Sequence, residues 1–300
     1  MKTSNVVVLL SALIAVLALV AAGAGLFWQG GDGPYSFTTL RGQTAEIYGQ
    51  GLYRYDTLFS GAGYKGQDAV VLFLGIPLLV VSTLIYRRGS LRGGLLLVGT
   101  LAYFLYTYAS MALGATYNEL FLLYVALFSI SLYAFVLAFT AIDLRTLGSR
   151  FSARMPRLGP AIFMLASGLV TLVVWGGPIV SALIGGEPPE RLDTYTTKFT
   201  EALDLATITP ATFLAGVLIL RREPLGYLIA LSLLVLEAML APLIVTQTVF
   251  QVSAGVTYPL GQIVGPITGF VSLAVVAIWI TVAILRNISD SATSGAARVR

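Results

Sequence analysis

Cysteine and histidine are both absent from this chain. Without cysteine there is no disulfide, no thiol redox chemistry and no thiolate metal site. Without histidine, the usual axial ligand of a membrane haem is missing. So are the imidazole ligands of zinc and copper and the commonest neutral-pH general base. Thiol oxidoreductases, histidine-ligated cytochromes and Ser-His hydrolases are excluded, and no cofactor is indicated. Charge is scarce too. Only 11% of the 300 residues are charged, against about 25% in an ordinary soluble domain. Fourteen carboxylates are the whole supply for acid, base or cation chemistry.

What is present is apolar. Hydrophobic residues make up 57% of the chain and the mean hydropathy is +0.87. That composition belongs to a polytopic membrane protein, with the lipid bilayer as its first partner. The pI near 9.3 does not point to nucleic acid, because the basic residues fall where a bilayer would sort them.

Apolar runs long enough to cross a bilayer as helices occupy residues 6–28, 69–86, 95–115, 120–142, 161–183, 206–220, 227–245 and 264–285. The sixth is short and is expected to begin earlier, near Glu201. With the N-terminus inside, 13 of the 18 basic residues lie on the inner side and ten carboxylates on the outer side. The inner excess of Lys and Arg sets the orientation. Both termini are then cytoplasmic, which requires an even number of spans, and the expected location is the plasma membrane. The first run, with Lys2 before it and Ala22-Gly23-Ala24 near its end, also has the look of a signal peptide. It is longer than the usual 7–15-residue apolar region of such peptides and is read as a retained span.

An internal duplication is expected. Arg54-Tyr55-Asp56-Thr57 recurs as Arg191-Leu192-Asp193-Thr194, Asp68 is matched by Asp204, and Pro77 by Pro210. Arg87-Arg88 is matched by Arg221-Arg222. The offset falls from 137 (Asp56 to Asp193) to 136 (Asp68 to Asp204) to 134 (Arg87 to Arg221), as small loop deletions would produce. The expected fold is therefore all-α: eight transmembrane helices forming two parallel four-helix repeats. Residues 1–142 form the first repeat, with an outer loop at 29–68. A basic cytoplasmic linker at 143–160 leads to the second repeat at 161–286, followed by a cytoplasmic tail at 287–300. Gly261, Gly265 and Gly269 share one face of the last span. Such a stripe lets another backbone approach, within the bundle or across a homo-oligomer.

The outer loop holds Thr44 to Tyr55, with alternation, aromatics and a Gly49-Gln50-Gly51 break. This pattern suggests a small β-hairpin capping the bundle. Asp56 and Asp193 each follow an arginine by two residues, and local pairing is expected. Asp68 and Asp204 stand before spans, where a carboxylate can cap free N–H groups. Together the four form a candidate outer binding rim for a cation, and nothing in their spacing names a metal. Asn118 is a candidate cap of the fourth span. Pro77 and Pro210 are candidate helix breaks, since prolines at matching positions of two repeats point to transporter binding sites.

Glu237 reads as the lone ionisable group deep in a span. Such a residue is a functional candidate by default. The repeat places Tyr103 at its equivalent position. Tyr106, Thr107 and Tyr108 follow, while Tyr117, Tyr124 and Ser131 recur every seven residues on the fourth span. These residues are expected to line a polar interior around Glu237. The favoured function is a transporter of a small solute or cation with Glu237 as its protonatable coupling group. The alternative is a non-catalytic scaffold, lipid-binding or sensor subunit. A membrane enzyme using outward carboxylates is less favoured, since no tight carboxylate cluster is visible.

Overall fold

The computed structural model describes residues 3–289, except the side chains of Leu260, Gln262, Ile263 and Pro266. The expected tail beyond residue 289 lies outside the described residues. Among the described residues eight helices are long and apolar enough to cross a membrane, the build of an all-α multi-pass membrane protein. They are α1 (Asn5–Phe27), α2 (Leu58–Arg87), α3 (Leu91–Gly114), α4 (Phe121–Thr140), α5 (Leu158–Gly185), α6 (Phe199–Leu220), α7 (Pro224–Ser253) and α8 (Leu260–Arg286). A short helix, Leu144–Ser149, sits between α4 and α5.

Local chemistry sets the ends. The hydroxyls of Ser4, Thr57 and Ser90 accept first-turn N–H groups of α1, α2 and α3, the usual N-cap arrangement. The carboxyl of Asp143 does the same for the short helix. Gly186 closes α5 in the left-handed conformation, φ 68°, where glycine carries no Cβ penalty. Asn118 accepts from Leu120 N–H, two residues on. It shapes the turn ahead of α4 rather than capping the helix from the N-cap position.

Helices α2 and α6 begin well before their apolar runs, at Leu58 and Phe199. Their leading turns carry polar residues and so have low hydropathy, yet they remain helical. Neither Pro77 nor Pro210 breaks its helix. Each follows a single wide π-turn, Val71–Gly75 in α2 and Asp204–Ile208 in α6. A proline ring removes one N–H and crowds the carbonyl four residues back, and a π-turn relieves that crowding while the helix continues. Pro178 and Pro242 also lie inside helices, α5 and α7.

In the first half, α1 packs on α2 and α4, α2 on α3, and α3 on α4, so four helices close on themselves. In the second half α5 packs on α6, α6 on α7 and α7 on α8. Among the described residues no comparable packing joins α5 to α8. Helix α7 joins the halves by packing on α2 and α3. Two glycines allow that approach. A Cβ at Gly66 would lie 2.6 Å from Gln247 Cα, and one at Gly99 would lie 2.7 Å from Val235 Cβ. The glycine stripe on α8 has no such role here. Among the described residues nothing beyond the local α8 backbone would lie within 4 Å of a Cβ at Gly261, Gly265 or Gly269.

The outer segment contains a strand pair, but not over Thr44 to Tyr55. Strand β1 (Tyr35–Thr38) pairs antiparallel with β2 (Thr44–Ile47). The Gly-Gln-Gly break is not its turn. Gly49 and Gly51 take positive φ, 67° and 59°. The chain there drops into a 3-10 turn, Gly51–Tyr53, that sends Tyr53 into the bundle. Facing it, the loop between α5 and α6 also carries positive φ at Arg191 and Asp193. The Arg41 guanidinium donates to the carbonyls of Asp193 and Tyr195, 3.5 and 3.3 Å away, so the two outer loops clasp each other.

Candidate functional site

The four outer aspartates do not form one rim. Asp56 is buried beneath the clasp. Its Oδ1 accepts from Thr116 N–H and from the Tyr195 hydroxyl, each at 2.9 Å. Its Oδ2 is buried without a partner. Burial pushes the Asp56 carboxyl up to about 6, against the opposing pull of those two hydrogen bonds. The expected Arg54–Asp56 pairing is absent. Arg54 pairs instead with Glu119 at the surface, because the 3-10 turn aims the guanidinium outward while Asp56 turns in. This exposed pair is expected to matter little. Arg54→Ala should change folding stability by less than about 1 kcal/mol in a denaturant melt. Asp193 stays in the clasp loop. Partial burial raises its carboxyl, opposed by the charges of Lys198 and Arg191.

Asp68 lies inside α2, not ahead of it, and is buried. The Tyr53 hydroxyl donates to its Oδ2 at 2.5 Å, and the Tyr124 hydroxyl lies 3.4 Å from that of Tyr53. Burial, then the Asp68 charge, holds the Tyr53 phenol far above its ordinary range, so Tyr53 is a donor throughout the neutral range. Tyr103 and Tyr108 of α3 are within electrostatic reach of Asp68. Both are only 2% exposed. The Tyr108 hydroxyl has no hydrogen bond, and that of Tyr103 lies beside Thr107 without closing one of good geometry. Space for this cluster comes from α1. A Cβ at Gly25 would stand 1.8 Å from Asp68 Oδ2 and 2.6 Å from the Tyr53 hydroxyl.

Asp204 opens the wide turn of α6. It accepts from the Tyr106 hydroxyl and from the Trp175 indole N–H, both at 2.8 Å. Asp68 precedes its own wide turn by three residues, so the two aspartates sit one helical turn apart relative to the π-turns. Glu237 of α7 accepts from Ser167 of α5 at 3.2 Å.

The polar interior expected around Glu237 therefore divides three ways. Tyr103, Thr107 and Tyr124 belong with Asp68, Tyr106 with Asp204, and Glu237 has Ser167. Tyr117 is 76% exposed and lines nothing, while Tyr124 and Ser131 are buried. Asp68 and Asp204 also lie within membrane-length helices, because α2 and α6 start early. Tyr53, Tyr195, Ser167 and Trp175 are the partners that sequence reasoning missed. No local spacing links them to their carboxylates: Tyr195 meets Asp56 across 139 residues. Among the described residues no group of three or more carboxylates could hold a metal ion.

Comparison with protein-family models, with curated proteins and with solved structures finds no match.

Proposed function

We propose that the protein is a membrane carrier of a small cation or protonatable solute, with carboxyl groups inside its spans as the binding elements. One observation carries this reading. Asp68, Asp204 and Glu237 all sit within membrane-length helices, and each is held by hydroxyl or indole donors. Among the described residues none of the three is in an ion pair. Acids buried in a span mark ion or substrate pathways by default. The matched wide turns ahead of Pro77 and Pro210 support the proposed duplication, and irregular backbone at corresponding places is a feature of carrier sites.

The test is the melting temperature of the detergent-purified protein against pH and against sodium, potassium, ammonium and small amines. A ligand bound only by the folded state raises stability by mass action. The reading expects a saturable rise with at least one of these, lost in Asp68→Asn, Asp204→Asn or Glu237→Gln. It fails if no addition shifts the wild type and all three variants melt like it at every pH.

A second reading, a scaffold, lipid-binding or sensor subunit, is favoured by the open side of the second half. There α5 and α8 present apolar side chains such as Leu172, Val173, Val275 and Trp279 to the surroundings, and the α8 glycine stripe would admit a second copy of the chain. This reading predicts normal assembly with no response to cations.

A further inference from the structure

Besides the Asp68 cluster, the first bundle has an opening. A hollow of about 370 Å³ lies at the end of α1, lined among others by Trp28, Gln29, Gln50, Gly51 and Lys65. Two of these residues are close along the chain to the Asp68 cluster. Gly51 begins the 3-10 turn that ends at Tyr53, whose hydroxyl holds Asp68. Lys65 is three residues before Asp68 on the same helix, so the two are neighbours one turn apart, and the Lys65 charge reaches the Asp68 carboxyl.

We propose that Asp68, with the hydroxyls of Tyr53, Tyr103, Tyr108 and Tyr124, is a binding site for one small monovalent cation, reached from the hollow beside Lys65. This rests on the carrier reading and names the site and ligand class within it. The argument is one of charge, size and satisfaction. A buried carboxylate needs a compensating charge or a proton. The Tyr53 hydroxyl touches Asp68 and the Tyr124 hydroxyl lies next to that of Tyr53, while Tyr103 and Tyr108 of α3 are near enough to feel its charge. On the α1 side Gly25 lies directly against Asp68, and Lys65, whose charge reaches the carboxyl, lines the hollow. A single carboxyl suits a single positive charge, because calcium and magnesium sites draw on several hard oxygen ligands and commonly more than one carboxylate. The close approach of Gly25, where even a Cβ would stand 1.8 Å from Asp68 Oδ2, favours an ion over a larger solute. The buried Tyr108 hydroxyl, without a partner, supplies an oxygen ready to coordinate or to hydrogen-bond, and such orphans are rare in native structures. A proton and an alkali cation share this chemistry and would compete for the same carboxyl.

The experiment uses infrared difference spectroscopy of the carboxyl stretch on the purified full chain. One arm titrates sodium at fixed pH, and the other titrates pH with a bulky organic cation as the only salt. In the wild type one carboxyl signal should saturate in at least one arm. A response to pH alone identifies a proton site, and displacement of the proton by sodium identifies an alkali-cation site. The signal should vanish in Asp68→Asn and persist in Glu237→Gln. Tyr53→Phe should weaken binding. Lys65→Gln, which removes a repelling charge one turn away, should tighten it by roughly tenfold. The proposal is overturned if Asp68→Asn titrates like the wild type. Should that variant fail to fold, Lys65→Gln and Tyr53→Phe decide, and unchanged midpoints in both overturn it. Cation flux that persists in Asp68→Asn would remove this site and leave the carrier reading intact. A titrating Asp68 without any flux would do the reverse.

Discussion

Replacing Gly66 by leucine should loosen the contact between the two halves of the protein and lower its melting temperature by roughly 2–5 °C. At Gly66 the α2 backbone lies against the α7 backbone, and even a Cβ would come within 2.6 Å of Gln247 Cα and 2.7 Å of its N. Backbone cannot swing aside as a side-chain tip can. Overpacking a tight contact costs about 1–3 kcal/mol and sometimes more, which corresponds to several degrees for a chain of this size. In lipid, helix association depends on close packing of this kind. The control is Gly261→Leu on the unpartnered α8 stripe, which should leave the monomer's melting temperature unchanged. Equal losses at both positions would mean that the α2–α7 contact does not join the halves.

The second large effect concerns Asp56, and its sign is opposite for two substitutions. The folded state holds this carboxyl up at about 6 through burial, against an ordinary 3.8. Folded protein therefore binds the Asp56 proton more tightly than unfolded protein does. Between about pH 4 and pH 6 this group makes stability fall as pH rises, and above pH 6 the full cost of roughly 3 kcal/mol is present. Asn at this position keeps the oxygen that accepts from Thr116 and Tyr195 and removes the buried charge. Asp56→Asn is expected to be more stable than wild type at pH 7.5, with the acid-side slope flattened. At pH 4, where the folded wild type keeps the Asp56 proton, Asp56→Ala leaves both donors without that partner and should be destabilised by about 1–3 kcal/mol. Melts across pH 4–8 check both. A wild type whose stability climbs from pH 4 to 6, with Asp56→Asn below it at pH 7.5, would contradict the assignment.

The spans were legible because apolar runs are a one-dimensional signal. Where reading from sequence went astray, polarity inside a helix was the cause. The first turns of α2 carry Ser60, Lys65 and Gln67, so the apolar run begins only at residue 69 and Asp68 reads from sequence as a cap. With the helix actually starting at Leu58, that carboxyl moves from the helix end into the bundle interior. The early start of α6 is expected near Glu201 and falls at Phe199, and there Asp204 is held by Tyr106 and Trp175 rather than acting as a cap. Periodicity places Tyr103, Thr107, Tyr124 and Ser131 inward, and they are buried, whereas Tyr117, read by the same spacing, is exposed. It could not say which carboxylate they face, because helix rotation and neighbour choice are set by contacts such as Gly66 against Gln247. Tyr53 was the hardest to foresee. It enters the bundle only because Gly49 and Gly51 take left-handed backbone conformations that end the strand pattern two residues earlier.

Cation flux into vesicles reconstituted with the purified protein tests the central claim most directly. Wild type would be compared with Asp68→Asn, Asp204→Asn, Glu237→Gln and the triple variant under an imposed sodium or proton gradient. Carboxyls that bind and move a small cation predict flux above that of protein-free vesicles, with the triple variant at background and at least one single variant impaired. Flux equal in wild type and triple variant, or no flux above background in any gradient, would contradict it.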